Sequence, residues 1–240
     1  MTAYDASARI GEIEGATGRL LRTARAFSEP DLQKPSLCEG WDRAHVFGHV
    51  CRNADGITRL LWSARTRVPW FQYLSQPIRT AEIEASADRP LAEQLADLEA
   101  SAARVRAEAW SLAPDHWERP VRWPDGREQP ARALLAARLA EVEYHHVDLD
   151  AGYTFADWSG DYRSSQVEVV AKRLTPRASA VFAVVATDLP VATQVGAGHP
   201  AKTTVSGSAA DLLGWLSGRC DGGGLEVEPA GALPERPSYG

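Results

Sequence analysis

The amino-acid sequence predicts a mainly α protein with an N-terminal antiparallel four-helix bundle and a small C-terminal α+β domain. Two observations indicate this class. In the first two thirds of the chain, four long segments carry apolar residues at three- and four-residue steps, as amphipathic helices do. Farther on, short apolar runs rich in β-branched residues accompany helical segments. Four long helices joined by loops favour an antiparallel bundle, which we expect over residues 1–155, with the α+β domain over residues 156–240.

The first three predicted helices follow from periodicity and from signals at their ends. The first has its apolar stripe over 10–27 and is expected to end at Pro30. The second begins at the N-cap Asp42 and extends to about residue 65. The third begins at Pro90, with Asp88 as its candidate cap.

A turn at WPDGRE, in which Gly126 can adopt unusual backbone angles, precedes the fourth long helix, expected over 130–150. Beyond the bundle we expect a helix over 166–174 and strands at VFAVVATD, AKTTVSG and LEVEP. Ser208, with Asp211 three residues later, predicts a capped helix between the last two strands.

Length and charge narrow the class of function. The 240 residues suffice for one large or two modest domains, and 26 Lys and Arg against 32 Asp and Glu give a net charge of −6. This sign disfavours nucleic acid and anionic membranes as partners. No apolar run approaches the roughly 20 residues of a membrane span, and the first residues lack the layout of a secretory signal, so we expect a cytoplasmic protein.

The three cysteines, Cys38, Cys51 and Cys220, are far apart and show no CxxC spacing. They support neither a disulfide framework nor a cysteine-only zinc site. We therefore expect reduced thiols without a functional role, since free cysteines are most often small buried residues.

Four of the six histidines lie in two pairs on the second and fourth predicted helices. His49 lies four residues after His45, so these two histidines share a helix face. His145 lies four residues after Glu141, so these two residues share a face of the fourth helix. One imidazole from the second helix could meet a carboxylate and an imidazole from the fourth inside the bundle. Three ligands of this kind leave coordination positions open, which is typical of a catalytic zinc site.

Spacing alone leaves other ligand sets open, with His45 in place of His49, Glu143 in place of Glu141, or His146 in place of His145. Glu143 lies about 200° around the helix from Glu141, so both cannot face one site. Asp148, three residues after His145, could accept the second ring proton of that histidine.

The aromatic, proline-punctuated segment VPWFQYLSQPIR lies between the second and third helices, where it could cover the mouth of the bundle. It contains Trp70 and ends at Arg79. Arg219, in the segment GRCDGG, is a second cation in a loop-like position. Either arginine could bind a carboxylate in bidentate fashion if it faced the pocket.

Four separated motifs resemble the mycothiol-dependent maleylpyruvate isomerase family, within the wider DinB-like metal-binding bundles. They are LCEGWDRAHVFGHVCRNAD, YLSQPIRTAEIE, AEVEYHHVDLDAGY and TVSGSAADLLGWLSGRCDG, in this order. The resemblance implies that a divalent metal, typically zinc, is bound by His49, Glu141 and His145. It also implies functional roles for Arg79 and Arg219.

The loop before Ser75 departs from the family pattern. Where members commonly read Pro-Met-Tyr, this chain reads Phe71-Gln72-Tyr73, next to Trp70. We therefore expect an intact metal site and an altered pocket wall, with Trp70, Tyr73 and Ser75 contacting the substrate.

The resemblance also implies a reaction. A metal with open positions can bind the sulfur of mycothiol and stabilise its nucleophilic thiolate. Addition of this thiolate to maleylpyruvate, rotation about the new single bond and expulsion of the thiolate would yield fumarylpyruvate, while Arg79 and Arg219 hold carboxylates or the developing enolate. Two alternatives are a mycothiol S-transferase acting on another electrophile, such as a natural-product intermediate, and a non-enzymatic binding or regulatory bundle. The expected partners are the thiol and a carboxylate-bearing electrophile, bound by a monomer or small homo-oligomer.

Overall fold

The computed structural model describes residues 4–237 and confirms the predicted fold class. The chain divides into two compact units, Met1–Ala151 and Gly152–Gly240. The first is almost entirely helical, and the second combines helices with a small sheet. Within residues 4–237, every helix is too short or too polar to span a bilayer.

The first unit is built around four long helices. Its helices are α1 Ser7–Arg25, α2 Glu29–Leu32, α3 Arg43–Thr66, α4 Gln76–Ala87, α5 Leu91–Trp110 and α6 Ala133–Asp148, and its strands are β1 Pro120–Arg122 and β2 Glu128–Pro130. α3 packs against α5 and α6, and α1 packs against the same two helices. These four helices therefore enclose the core of the bundle.

Contacts between side chains show the direction of each helix. Arg52 of α3 pairs with Asp97 of α5, and farther along the same helices Arg65 pairs with Glu108. α3 and α5 therefore run parallel, and so do α1 and α6. The antiparallel pairs are α3 with α6 and α1 with α5, so the expected antiparallel arrangement holds for two of the four neighbouring pairs.

α3 and α5 run parallel because α4, which lies between them in the chain, returns along α3. Two glycines of α3 allow the close approach. A Cβ at Gly48 would lie 2.8 Å from the Cβ of Ser86 and 3.1 Å from the carbonyl oxygen of Ile83. A Cβ at Gly56 would lie 2.9 Å from the carbonyl oxygen of Gln72, in the segment before α4. The returning helix brings the start of α5 to the same end of the bundle as the start of α3.

Several boundaries differ from the sequence prediction. α4 was not predicted, because only two of its twelve residues are buried and its apolar pattern is weak. Asp88 is the C-cap of α4, and Pro90 is the N-cap of α5, so the prediction of Asp88 as the cap of the third helix is wrong. α1 ends at Arg25, and Pro30 lies in the first turn of α2. The turn at Gly126 is confirmed, with φ of +83°, and it joins β1 to β2.

The start of α3 is tied to the end of α6. The carboxylate of Asp42 accepts a hydrogen bond from a backbone N–H in the first turn of α3, as predicted for an N-cap. The guanidinium of Arg43 donates to the carbonyl oxygens of Leu149 and Asp150, which satisfies carbonyl groups that a helix end leaves unpaired. The histidine-bearing parts of α3 and α6 therefore lie side by side.

The second unit contains α7 Gly160–Leu174, β3 Phe182–Ala186, β4 Ala192–Val195, β5 Thr203–Gly207, α8 Ala209–Leu216 and β6 Glu226–Glu228. The strand order is β4-β3-β5-β6, with β3 and β5 parallel and the other pairs antiparallel. The three predicted strands and both predicted helices are present, whereas β4 was not predicted. The hydroxyl of Ser208 caps α8 by accepting from the N–H of Asp211, as expected.

Candidate metal centre

Three side chains from α3 and α6 converge inside the first unit and form what we call the His-Glu-His cluster: His49, Glu141 and His145. The Nε2 atom of His49 lies 2.9 Å from Oε2 of Glu141, and Nε2 of His145 lies 3.5 Å from the same oxygen. The two imidazole rings meet edge to face with centroids 4.4 Å apart. One donor atom from each residue lies within 4.8 Å of the other two. The structure thus brings together the three residues that the family resemblance implied.

The cluster has an uneven distribution of charge. Burial disfavours ionisation of Glu141, but hydrogen bonds and charge from the two imidazoles lower its pKa well below the ordinary value. Burial also disfavours the charged form of His145, yet bonds to Asp148, Cys38 and Glu141 raise its pKa well above the ordinary value. Burial and the neighbouring charge of His145 lower the pKa of His49. The two imidazoles thus favour the ionised carboxylate of Glu141, and His145 is the more basic of the two rings.

Asp148 orients His145 from the side away from Glu141. Its Oδ2 atom accepts a hydrogen bond from Nδ1 of His145 at 2.8 Å, and its side chain is buried. This bond directs Nε2 of His145 toward the cluster, as the helical spacing predicted. A carboxylate in this position fixes the tautomer and raises the basicity of a metal-binding histidine.

Arg79 reaches the cluster from α4. Its guanidinium donates to Nδ1 of His49 at 2.8 Å and lies 5.3 Å above the ring of Tyr73. Burial and the negative charge of Glu141 raise the pKa of Tyr73, against the effect of hydrogen bonds with Arg79 and Asn53. The phenol of Tyr73 therefore stays protonated beside the cluster.

The alternative ligands lie elsewhere. His45 is held by the N-cap carboxylate of α3 at 2.6 Å and by a glutamate of α4 at 3.1 Å. Glu143 forms a 2.6 Å ion pair with Arg19, and Nε2 of His146 lies 2.8 Å from the hydroxyl of Thr23. Both face α1 on another side of α6. His146 is buried.

The predicted substrate residues of the aromatic segment separate in space. Trp70 is 45% exposed and packs against Trp62 with ring centroids 6.0 Å apart. Trp62 lies thirteen residues after His49 on α3, which is roughly 20 Å along the helix axis. The hydroxyl of Ser75 caps α4 by accepting from the N–H of Ile78. Of the three, Tyr73 is the one whose side chain contacts the guanidinium of Arg79.

Arg219 belongs to the second unit, where it follows α8. Its NH1 group donates to the carbonyl oxygen of Ser217 at 3.2 Å. The preceding residue, Gly218, has φ of +82° and so turns the chain in a conformation that favours glycine. A role for Arg219 in substrate binding stays a prediction.

Sequence reasoning missed two residues in the loop before α3. The ring of Trp41 lies 5.4 Å from that of His49, and the thiol of Cys38 lies in a group with His145 and Asp148 whose donor atoms are within 4.8 Å of one another. The expectation that Cys38 has no functional role stays a prediction, although its thiol lies beside the His-Glu-His cluster. The available signal was its position in the LCEGW motif, but spacing along the chain does not show that this loop folds back onto α6.

The first unit is a four-helix bundle in which two facing helices contribute the His-Glu-His cluster. This chain therefore falls in the class of four-helix bundles with a candidate metal site. The family follows from sequence. The model of the mycothiol maleylpyruvate isomerase N-terminal domain matches residues 13–150, which is more than half of the chain, so the chain belongs to this family.

Solved structures extend the likeness over both units. The crystal structure of the mycothiol-dependent maleylpyruvate isomerase is 25% identical in sequence, with a TM-score of 0.89 over 98% of this chain and 100% of that one. A histidine-to-alanine variant of that enzyme is 24% identical, with the same TM-score and coverage. These matches support the fold described above.

A more distant match is YfiT from Bacillus subtilis, described as a probable metal-dependent hydrolase with an unusual four-helix bundle topology. It is 18% identical, with a TM-score of 0.50 over 62% of this chain and 85% of that one, so the likeness shows the fold alone. No curated protein matches this chain in sequence.

Proposed function

We propose that this protein is a mycothiol-dependent metalloenzyme that converts maleylpyruvate, or a closely related cis electrophile bearing carboxylates, to the trans isomer. The observation that carries the proposal is the convergence of His49, Glu141 and His145 in a chain of the mycothiol maleylpyruvate isomerase N-terminal domain family. The reaction would take place in the cytoplasm, in keeping with three cysteines that form no disulfide.

The donor set fits a divalent cation, best zinc. Two imidazole nitrogens and a carboxylate oxygen are suitable zinc ligands, and three protein ligands leave room for a further one. Asp148 holds the outer nitrogen of His145, and the pKa of Glu141 keeps its carboxylate ionised. When bound, the cation supplies a position that holds a thiol sulfur and favours its thiolate form.

Arg79 is the residue whose contacts must change on metal binding. In the structure it donates to Nδ1 of His49, so the proton of the neutral ring lies on Nε2 and points at Glu141. Coordination through Nε2 would require the proton on Nδ1, where it would face the N–H of Arg79. The guanidinium would then turn away and become available to a substrate carboxylate, which it can bind with two parallel hydrogen bonds.

Tyr73 supplies a neutral donor next to the cluster. Its phenol stays protonated because burial and the charge of Glu141 raise its pKa. A protonated hydroxyl at this position can donate to a carbonyl oxygen that becomes an enolate as the thiol adds to the neighbouring double bond. The functional role of Arg219, in the second unit, rests on the family resemblance alone.

Thiol transfer to a different electrophile would use the same residues and differ in the fate of the adduct. An aromatic wall around the cluster would favour a bulky electrophile and hence thiol transfer. Trp70 packs against Trp62 instead, so this ring gives no support for transfer over isomerisation.

The decisive experiment measures the turnover of maleylpyruvate by zinc-loaded protein with and without mycothiol, together with its metal content. We expect thiol-dependent formation of fumarylpyruvate. His49→Ala should lose both the bound metal and the activity, because it removes one of three ligands. His199→Ala is the matched control, since this histidine is exposed in the second unit.

Each alternative has its own outcome. Accumulation of a thiol conjugate in place of the isomer would indicate an S-transferase. Unchanged metal content in His49→Ala would refute the ligand set. Metal-loaded protein with no thiol chemistry towards any tested electrophile would favour a binding or regulatory bundle.

A further inference from the structure

A second group of possible metal ligands lies next to the His-Glu-His cluster and shares one residue with it. The thiol of Cys38, a ring nitrogen of His145 and a carboxylate oxygen of Asp148 all lie within 4.8 Å of one another. Asp148 is fully buried, whereas Cys38 is partly accessible. A small cation could therefore reach the group from the side of Cys38.

The backbone holds Cys38 in this position. The N–H of Leu37 donates to the carbonyl oxygen of Asp148 at 2.9 Å, which joins the loop to the end of α6. The hydroxyl of Ser36 accepts from the N–H of Cys38 at 3.1 Å and donates to the carbonyl oxygen of Trp41 at 2.8 Å. The loop is thus closed on itself and bonded to the helix that carries the other two donors.

The donor chemistry differs between the two groups. The His-Glu-His cluster offers nitrogen and oxygen only, whereas the second group adds a sulfur. Thiolate ligands select thiophilic ions, and a set of Cys, His and Asp suits a tetrahedral cation with one position left for water. The second group should therefore take up a thiophilic ion more readily than the first.

We infer that Cys38, His145 and Asp148 form a second cation site, selective for thiophilic divalent ions such as Cd²⁺. Binding releases the thiol proton and the Nδ1 proton of His145 to solvent as the sulfur and the ring nitrogen coordinate. The site stands on these three side chains alone, whereas its coupling to the His-Glu-His cluster rests on the proposed function.

The coupling follows from the two nitrogens of His145. Asp148 faces Nδ1 at 2.8 Å, and Glu141 faces Nε2 at 3.5 Å. An ion placed between Cys38 and Asp148 takes Nδ1, so the remaining proton of the neutral ring stays on Nε2 and points at Glu141. An ion in the second site therefore prevents His145 from binding a metal in the His-Glu-His cluster. A thiophilic ion and zinc thus compete for His145.

The test is a titration of metal-free, full-length protein with Cd²⁺, followed by the thiolate-to-cadmium absorption band in the ultraviolet. We expect one such band in the wild type, with Cd²⁺ affinity lowered at least about tenfold in Cys38→Ser and the band lost. Asp148→Asn should keep the band and weaken the affinity. Cys220→Ser is the matched control, because this cysteine lies in the second unit.

His49→Ala separates the inference from the proposed function. It removes a ligand of the His-Glu-His cluster only, so the cadmium band should persist whether or not the protein isomerises maleylpyruvate. A band that survives in Cys38→Ser, or that disappears in Cys220→Ser or His49→Ala, would overturn the second site. Melting curves of each metal-free variant establish that a lost band does not reflect loss of the fold.

Discussion

Replacement of Gly48 by alanine tests the close approach of α4 to α3, on which the position of Arg79 depends. In an unobstructed helix interior, this change stabilises a protein by roughly 0.5–1 kcal/mol. At Gly48 the added Cβ would lie 2.8 Å from the Cβ of Ser86 and 3.1 Å from the carbonyl oxygen of Ile83. Neither atom is the end of a flexible side chain, so α4 itself has to move.

Overpacking of this kind costs about 1–3 kcal/mol. The matched control is Gly11→Ala, also inside a long helix of the same unit, where a Cβ would meet nothing within 4 Å. Both variants gain the same helix propensity. We therefore expect Gly48→Ala to have an unfolding free energy lower than that of Gly11→Ala by about 1–3 kcal/mol.

Urea denaturation of the two metal-free variants, side by side with the wild type, measures this difference. A displaced α4 should also loosen the contact between Arg79 and His49, and protection of the α4 amides from hydrogen exchange should decrease. Equal gains of stability in Gly48→Ala and Gly11→Ala would refute the close packing of α4 on α3.

Two further predictions concern metal binding. Arg79→Met should tighten binding of zinc about tenfold, because it removes a charge-assisted hydrogen bond to His49 that coordination has to break. Chelator competition measures the affinity, with the exposed Arg22→Met as the control. Weaker binding of zinc by Arg79→Met would contradict the proposed release of Arg79. Zinc affinity should fall as the pH decreases below the raised pKa of His145, because the ion has to displace the proton of the protonated ring. Calorimetry at several pH values should show the release of this proton. An affinity independent of pH would exclude His145 as a ligand.

Local features of the structure could be predicted with good accuracy. Asp42 and Ser208 cap their helices through side chains that bond to the next turn. The pairing of Glu141 with His145 follows from one turn of helix, and so does the contact of His145 with Asp148. These interactions join residues three or four positions apart, so the periodicity of the helix determines them.

Features that depend on distant contacts could not be predicted. α4 has a weak apolar pattern of its own, and it lies where it does because Gly48 and Gly56 leave space on α3. A glycine in a helical pattern gives no indication of which segment will occupy that space. The parallel direction of α3 and α5 depends on α4. It could not be predicted either, because the sequence does not show that α4 packs on α3.

For the candidate site, the sequence by itself determined which residues share a helix face, and the family motifs indicated His49 as the partner of Glu141 and His145. Only the tertiary structure decided what surrounds them. It brought Arg79 onto the outer nitrogen of His49, placed Trp70 away from the cluster and folded the loop of Cys38 onto α6. The physical reason is that helical periodicity acts over one or two turns, whereas the contacts of Arg79 and of the Cys38 loop join segments 30 to more than 100 residues apart, and the packing of the whole bundle selects them.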